Sequence, residues 1–243
     1  MRVSVVIPAK NEERLLPFLF ASLKEQSRQP DEVIVADAGS TDDTHRVAEL
    51  FGARVVEGGM PGVGRNRGAA VANGDLLLFL DADVVLPHED FLRDSINEMT
   101  KRQATIATCR VQAHNGNHLD DFFHWLYNMY TLLLEHWIPH APGFCIFVNR
   151  VAHESLGGFD ETVVFAEDME YVQRAVACGQ RFAILRSHPI AVSVRRLRKE
   201  GYARLAIKYV MGEMLMRCHG PFRGHLPFAY DLTHDEQKSP PRV

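Results

Sequence analysis

Two carboxylates separated by one small residue, Asp81-Ala82-Asp83, follow directly on the apolar run LLLFL (76–80). In an extended segment alternate side chains share a side, so Asp81 and Asp83 point together. Mg²⁺ and Mn²⁺ prefer oxygen ligands and are typically held by one or two carboxylates plus substrate phosphates, so the pair suits a divalent cation on a diphosphate. A solvated turn after a strand is the plainer alternative. Glu167-Asp168 opens a helical pattern (Met169, Val172, Ala175, Val176), where the charged form of a carboxylate is favoured and can accept a proton from a hydroxyl. Helix capping is the plainer alternative there. Asp37, in DAGSTDDT, can accept hydrogen bonds from a base or ribose while Ser40 or Thr41 caps the next helix. Gly58, Gly59, Gly62 and Gly64 precede Arg65 in a loop where backbone can approach a ligand closely and Arg can pair with phosphate or stack on a base.

These clusters need a frame that brings them together. Short apolar runs at Val3–Ile7, Glu32–Ala36, Arg54–Glu57 and Leu76–Leu80 alternate with helical patterns at Glu13–Gln26 and Asp42–Phe51, the signature of a parallel α/β sheet with helices on both faces. Ligands of such sheets bind beyond the carboxyl ends of the strands, so 8–12, 37–40 and 81–83 should converge on one edge. The second half predicts an aromatic-rich helix over about Asp120–Ile138, a strand at Phe144–Asn149, and helices at Asp168–Cys178 and Gly201–Arg217. With no linker or repeat, residues 1–236 read as one domain. Residues 1–100 form its nucleotide-binding half and 101–236 its acceptor-facing half; a disordered tail at 237–243 follows.

The 243 residues are 46% hydrophobic, enough for a sizeable core, and a net charge of −4 gives no general attraction for nucleic acid. Four scattered cysteines indicate a reducing compartment rather than a disulfide framework. With neither a leader nor a run of 18 apolar residues, the expectation is a cytoplasmic protein. The aromatics of 121–138 could rest peripherally on the inner face of a membrane, but that stretch lacks the Lys/Arg face such helices usually carry. Arg195, Arg196, Arg198 and Lys199 cluster elsewhere, as the start of a solvated helix would.

Taken in order, VSVVIPAKNEE, VIVADAGSTDDT, GVGRNRGAAVANGDLLLFLDAD, LGGFDE and AEDMEYVQRAVACG resemble glycosyltransferase family 2, the inverting enzymes of the GT-A fold, over roughly residues 1–200. The resemblance implies a Rossmann-like, mostly parallel sheet and a non-processive transferase with a nucleotide-sugar donor, by family habit a UDP-sugar. The acceptor would be a carbohydrate, lipid-linked or other hydroxyl. It further implies that Pro8, Ala9 and Glu12 form the nucleotide pocket, Asp37 faces the base, and Arg65 closes over base or phosphate. Asp81 would reach ribose or metal, Asp83 would bind Mn²⁺ or Mg²⁺, Asp168 would be the general base, and Arg195 or Arg196 would neutralise the departing diphosphate. Ala38 replaces the second Asp of the family's VDDGS, and no histidine stands clearly where a third metal ligand would be.

A sugar nucleotidyltransferase would place a Gly-rich basic loop after the first strand, where this chain has PAKNEE. A non-catalytic sugar-nucleotide or carbohydrate-binding protein would have no need of Asp81, Asp83 and Asp168 together. If Asp83 holds the cation, Asp83→Ala should abolish transfer while shifting unfolding free energy by no more than about 0.5 kcal/mol; normal turnover would remove Asp83 from the metal site.

Overall fold

The strand Val3–Ala9 (β1) lies between Glu32–Asp37 (β2) and Leu76–Leu80 (β4), both parallel to it, and β2 pairs in turn with Arg54–Glu57 (β3). Val5 and Ile7 enter one core while Val6 enters the other, and β4 splits likewise, Leu78 and Leu80 against Leu77 and Phe79. Near-continuous apolar runs fold this way because both faces of the sheet are covered. One face carries Leu16–Lys24 (α1), Thr44–Leu50 (α2) and Phe91–Arg102 (α4); the other carries Pro61–Val71 (α3), Arg150–Ser155 (α6) and Glu167–Ala177 (α7).

The sheet then continues with elements of the second half. Cys145–Asn149 (β7) runs antiparallel to β4, Ile106–His114 (β6) antiparallel to β7, Phe182–Ser193 (β8) parallel to β6, and Val84–Val85 (β5) closes the edge on β8. The order is β3-β2-β1-β4-β7-β6-β8-β5, one mixed sheet in a single α/β domain. Because β7 is antiparallel to β4, the loop that enters β7 lies at the carboxyl end of β4, pairing Cys145 with Leu80. His118–Leu134 (α5) packs on β6, while Arg195–Glu200 (α8) and Tyr202–His219 (α9) follow β8. The computed structural model describes residues 1–223 apart from 60 and 136, so the tail expected at 237–243 lies outside the described residues.

Several boundaries differ from the sequence pattern. The helix expected from Glu13 begins at Leu16, with Pro17 in its first turn, and that expected from Asp42 begins at Thr44. Asp42 Oδ1 accepts from the Thr44 amide, and the cap residue Asp43 makes no side-chain cap bond, so neither Ser40 nor Thr41 is the cap. The aromatic helix starts earlier, at His118, because Asn117 and Asp120 form a reciprocal capping box. Arg65 lies inside α3 rather than in the preceding loop. No pattern pointed to α4, β6 or β8. Pro189 argues against a strand at 182–193, yet the β6–β8 register shifts between Cys109 and Val111, and an irregular step of this kind accommodates a residue that cannot donate to the ladder.

At Gly68 a methyl group would collide with the fully buried Val6 of β1. A β-branched residue in a packed strand has little rotamer freedom with which to yield. Gly68→Ala should therefore destabilise the domain by about 1–3 kcal/mol despite improving helix propensity, as read by urea denaturation; unchanged stability would show that α3 and β1 can separate freely.

Candidate active site

At the carboxyl edge of β1 and β2, two loops are stitched side by side. The Asn11 amide donates to Ser40 Oγ at 2.9 Å, and Asn11 Oδ1 accepts from the Thr41 amide at 2.9 Å. Asn11 holds a left-handed φ of 56°, a conformation that asparagine tolerates better than most residues. Asp37 Oδ1 accepts from the Ser40 amide at 3.1 Å and its hydroxyl at 2.5 Å, so Ser40 braces Asp37 instead of capping α2. Pro8 and Ala9 end β1, and Ala9 is buried with its carbonyl accepting the Ala38 amide. Glu12 is only 4% exposed; its Oε1 lies 3.9 Å from Nη2 of Arg195, which arrives from the far end of β8. The route is short: Val84 follows Asp83 directly and pairs with Val192, three residues before Arg195. Arg196 lies in the same helix, and its side chain is outside the described ones.

Beyond β4, Ala82 and Val84 are buried while Asp81 and Asp83 are half-exposed, as alternation requires. Behind Asp81 stands Arg65, 2% exposed. Its Nη2 donates to Asp81 Oδ1 at 3.0 Å and to the Gly143 carbonyl at 3.2 Å, and its Nη1 to Glu167 Oε1 at 2.7 Å. Its guanidinium also lies 5.3 Å from the Phe159 ring centroid. Burial opposes the positive charge, but Asp81, Glu167 and Asp168 outweigh it and raise the guanidinium pKa. In this structure Arg65 is committed to protein carboxylates, so it braces the site from behind.

Asp168 sits on the other side of that bracket. Its Oδ2 accepts from the Gly143 amide and its Oδ1 from the Met169 amide at 2.8 Å. Burial raises its pKa most and the neighbouring Glu167 charge next, while Arg65 and the two amides pull it down; the outcome is a value of about 7. Relative to the ordinary 3.8, the folded state favours the protonated carboxyl, so the group's contribution to stability is full below 3.8 and lost as pH rises through about 7. Above that it is a carboxylate poised as a base near neutral pH.

Gly143 did not stand out in the sequence. It is required because a Cβ there would strike the Arg65 guanidinium, and its amide and carbonyl serve Asp168 and Arg65 at once. The Pro142-Gly143 dipeptide ahead of a strand was the available signal, and by itself it marks only a turn. Asn66 was quoted only within a motif. Its amide pairs with both backbone polar groups of Phe159, at 2.9 and 2.8 Å, fixing the GGFDE loop to α3, and Gly158 with φ 76° leaves the room. Among the described residues no three His, Cys, Asp or Glu side chains cluster as a ready metal cage. The oxygen pair Asp81 and Asp83 still fits a hard cation that takes its remaining ligands from substrate phosphates and water.

The model of the family described as glycosyl transferase family 2 matches residues 4–157. The chain belongs to this family. The stretch matched contains Asp37, Arg65, Asp81, Asp83 and Gly143. Over 110 residues this family 2 chain is 38% identical to 4,4'-diaponeurosporenoate glycosyltransferase of Staphylococcus haemolyticus, an alignment covering 42% of this chain and 29% of that protein. The chain thus spans less than a third of that relative's length. The crystal structure of S. aureus TarS 1–349 in complex with UDP has a TM-score of 0.66 at 24% identity, covering 80% of this chain and 61% of that one. Glucosyl-3-phosphoglycerate synthase from Mycobacterium tuberculosis, in complex with Mn²⁺, UDP and phosphoglyceric acid, has a TM-score of 0.62 at 22% identity, covering 91% and 80%. These likenesses place the family 2 chain among GT-A folds.

Glu167→Gln removes the charge that, after burial, does most to raise Asp168. The Asp168 midpoint, followed by NMR titration of its carboxyl carbon, should fall below its value of about 7 in the unsubstituted protein; an unmoved midpoint would leave burial as the whole cause.

Proposed function

We propose that this chain transfers a sugar, with inversion, from a nucleotide-sugar donor to an acceptor hydroxyl, and that the donor is a UDP-sugar. The observation that carries this reading is the buried Arg65, which holds Asp81 at 3.0 Å and Glu167 at 2.7 Å and thereby keeps a phosphate-side carboxylate and a base-side carboxylate in one cleft. The base and ribose would sit against the stitched loops of Pro8, Ala9, Glu12 and Asp37. UDP in the TarS complex, and UDP with Mn²⁺ in the glucosyl-3-phosphoglycerate synthase complex, support that choice of nucleotide and a divalent cation.

Asp83, with Asp81, would hold Mn²⁺ or Mg²⁺, which when bound supplies neutralising charge to the diphosphate. Asp168 takes the proton of the acceptor hydroxyl as that oxygen attacks C1. The bond from C1 to the diphosphate oxygen breaks in line, leaving the anomeric centre inverted. Arg195, beside Glu12, would meet the negative charge of the leaving diphosphate, and the Arg65 charge offsets the repulsion among the three neighbouring carboxylates. The acceptor is a carbohydrate, a lipid-linked group or another hydroxyl compound, entering from the side of Asp168.

Calorimetric titration with UDP-, GDP- and TDP-sugars, each with Mn²⁺ and then with chelator, tests the donor site. Cation-dependent binding of the UDP compound is expected, and binding of none of them would overturn the reading. Asp168→Asn should keep donor affinity and slow transfer by about 100-fold or more, the usual scale for a positioned base; unimpaired turnover would assign the base elsewhere.

A further inference from the structure

The helix α5 is inside out. It buries its polar side: Asp120, His124 and Thr131 are at most 7% exposed, and Asn128 bonds both backbone polar groups of Val111 on β6, at 2.9 and 2.8 Å. Phe122, Trp125, Leu126, Met129 and Leu133 are 47% to 74% exposed. At about 100° per residue these five fall within an arc of roughly 100° that is centred opposite the buried side. No described element covers it. Trp137, just beyond the helix, is 77% exposed. Together they form an apolar patch on the order of several hundred Å², the size at which an exposed patch is often a functional surface.

The helix α9 lies alongside, pinned where Tyr202 stacks on Phe123 at 4.6 Å and where the Tyr130 hydroxyl donates to Glu213 at 2.8 Å. Its own exposed stripe is Ile207, Met211 and Met214, headed by the exposed Arg204 at helical spacing, while Gly212 and Met216 pack inward near Phe165. The cations that the sequence of α5 lacked come from the neighbouring elements. Arg195 and Arg198 have side chains 57% and 51% exposed, Lys199 is exposed, and Arg198 is fastened to the α5 end by Asp120 at 3.0 Å. In a chain of net charge −4, four exposed cations at one end of an apolar patch are a local arrangement.

We propose that the α5–α9 face seats on an anionic phospholipid surface. Aromatic and aliphatic side chains lie in the interface while Arg195, Arg198, Lys199 and Arg204 meet the headgroups. A bilayer of this charge satisfies the apolar stripe and the basic rim together, and tryptophan is favoured at that depth. No helix among the described residues is long and apolar enough to cross a membrane, so the contact is peripheral. The mouth of the cleft at Arg195 then borders the lipid. This inference does not depend on the transfer reaction.

The two tryptophans of the sequence, Trp125 on the α5 stripe and Trp137 just beyond the helix, are both exposed and report on the contact. Mixed with phosphatidylcholine vesicles containing phosphatidylglycerol, the full chain should sediment with the lipid, show blue-shifted tryptophan emission, and be quenched by lipids brominated near the headgroup. Pure phosphatidylcholine vesicles should produce none of these. Arg204→Glu should weaken partitioning about fivefold or more. The double variant Phe122→Glu, Leu133→Glu should abolish it while the circular dichroism is unchanged. Absence of sedimentation and of an emission shift with anionic vesicles overturns the proposal even if no variant folds. So does a face that instead buries itself in a second copy, seen as a concentration-dependent dimer with unshifted vesicle behaviour.

Discussion

A guanidinium withdrawn from water is tolerable only if its charge is met, and Arg65 obliges the surrounding chain to meet that condition at Nη1 and Nη2, while its buried Nε has no partner among the described residues. Asp81 from the end of β4, Glu167 from the start of α7 and the Gly143 carbonyl from the loop entering β7 converge on it because each satisfies part of the same fork. The planar geometry of arginine makes such a bracket specific, since lysine presents a compact charge and not a rigid, extended fork of donors. Glycine at 143 is part of the same constraint, as any side chain there would occupy the place of the guanidinium.

The electrostatic consequences run outward from that bracket. Three carboxylates close together would repel, and the Arg65 charge offsets that repulsion, while Asp168, poorly solvated and beside Glu167, rises to about 7. One cluster thus holds a half-exposed carboxylate, Asp81, and a second, Asp168, whose pKa is raised to about 7. The supporting contacts follow the same logic: Asn66 clamps the backbone of Phe159, whose ring lies against Arg65, and the fully buried α7 residues Tyr171, Val172 and Ala175 anchor the helix that presents Asp168.

The same molecule spends polar side chains unusually on α5. Asp120 caps its own helix and anchors Arg198 and Tyr202 from α8 and α9, so the polar side is claimed by packing and the apolar side is turned outward. That inversion is invisible in a periodicity plot, which reports that a helix has two faces and not which one meets the sheet.

The sequence by itself determined the first half of the sheet, the carboxyl edge on which Asp37, Asp81 and Asp83 gather, and the family, because short apolar strands with polar ends and five ordered motifs are local signals. It also placed Asp168 at a helix start. Tertiary structure alone decided what those residues face. The joining of Asp81 to Glu167 spans 86 positions of chain and depends on β7 being antiparallel to β4, which brings Gly143 to the edge. Ser40 bracing Asp37, Arg65 buried and paired with Asp81 and Glu167, and a strand running through Pro189 were beyond local reading for the same reason. Each depends on partners distant in sequence whose packing and hydrogen bonds outweigh what the residues prefer on their own.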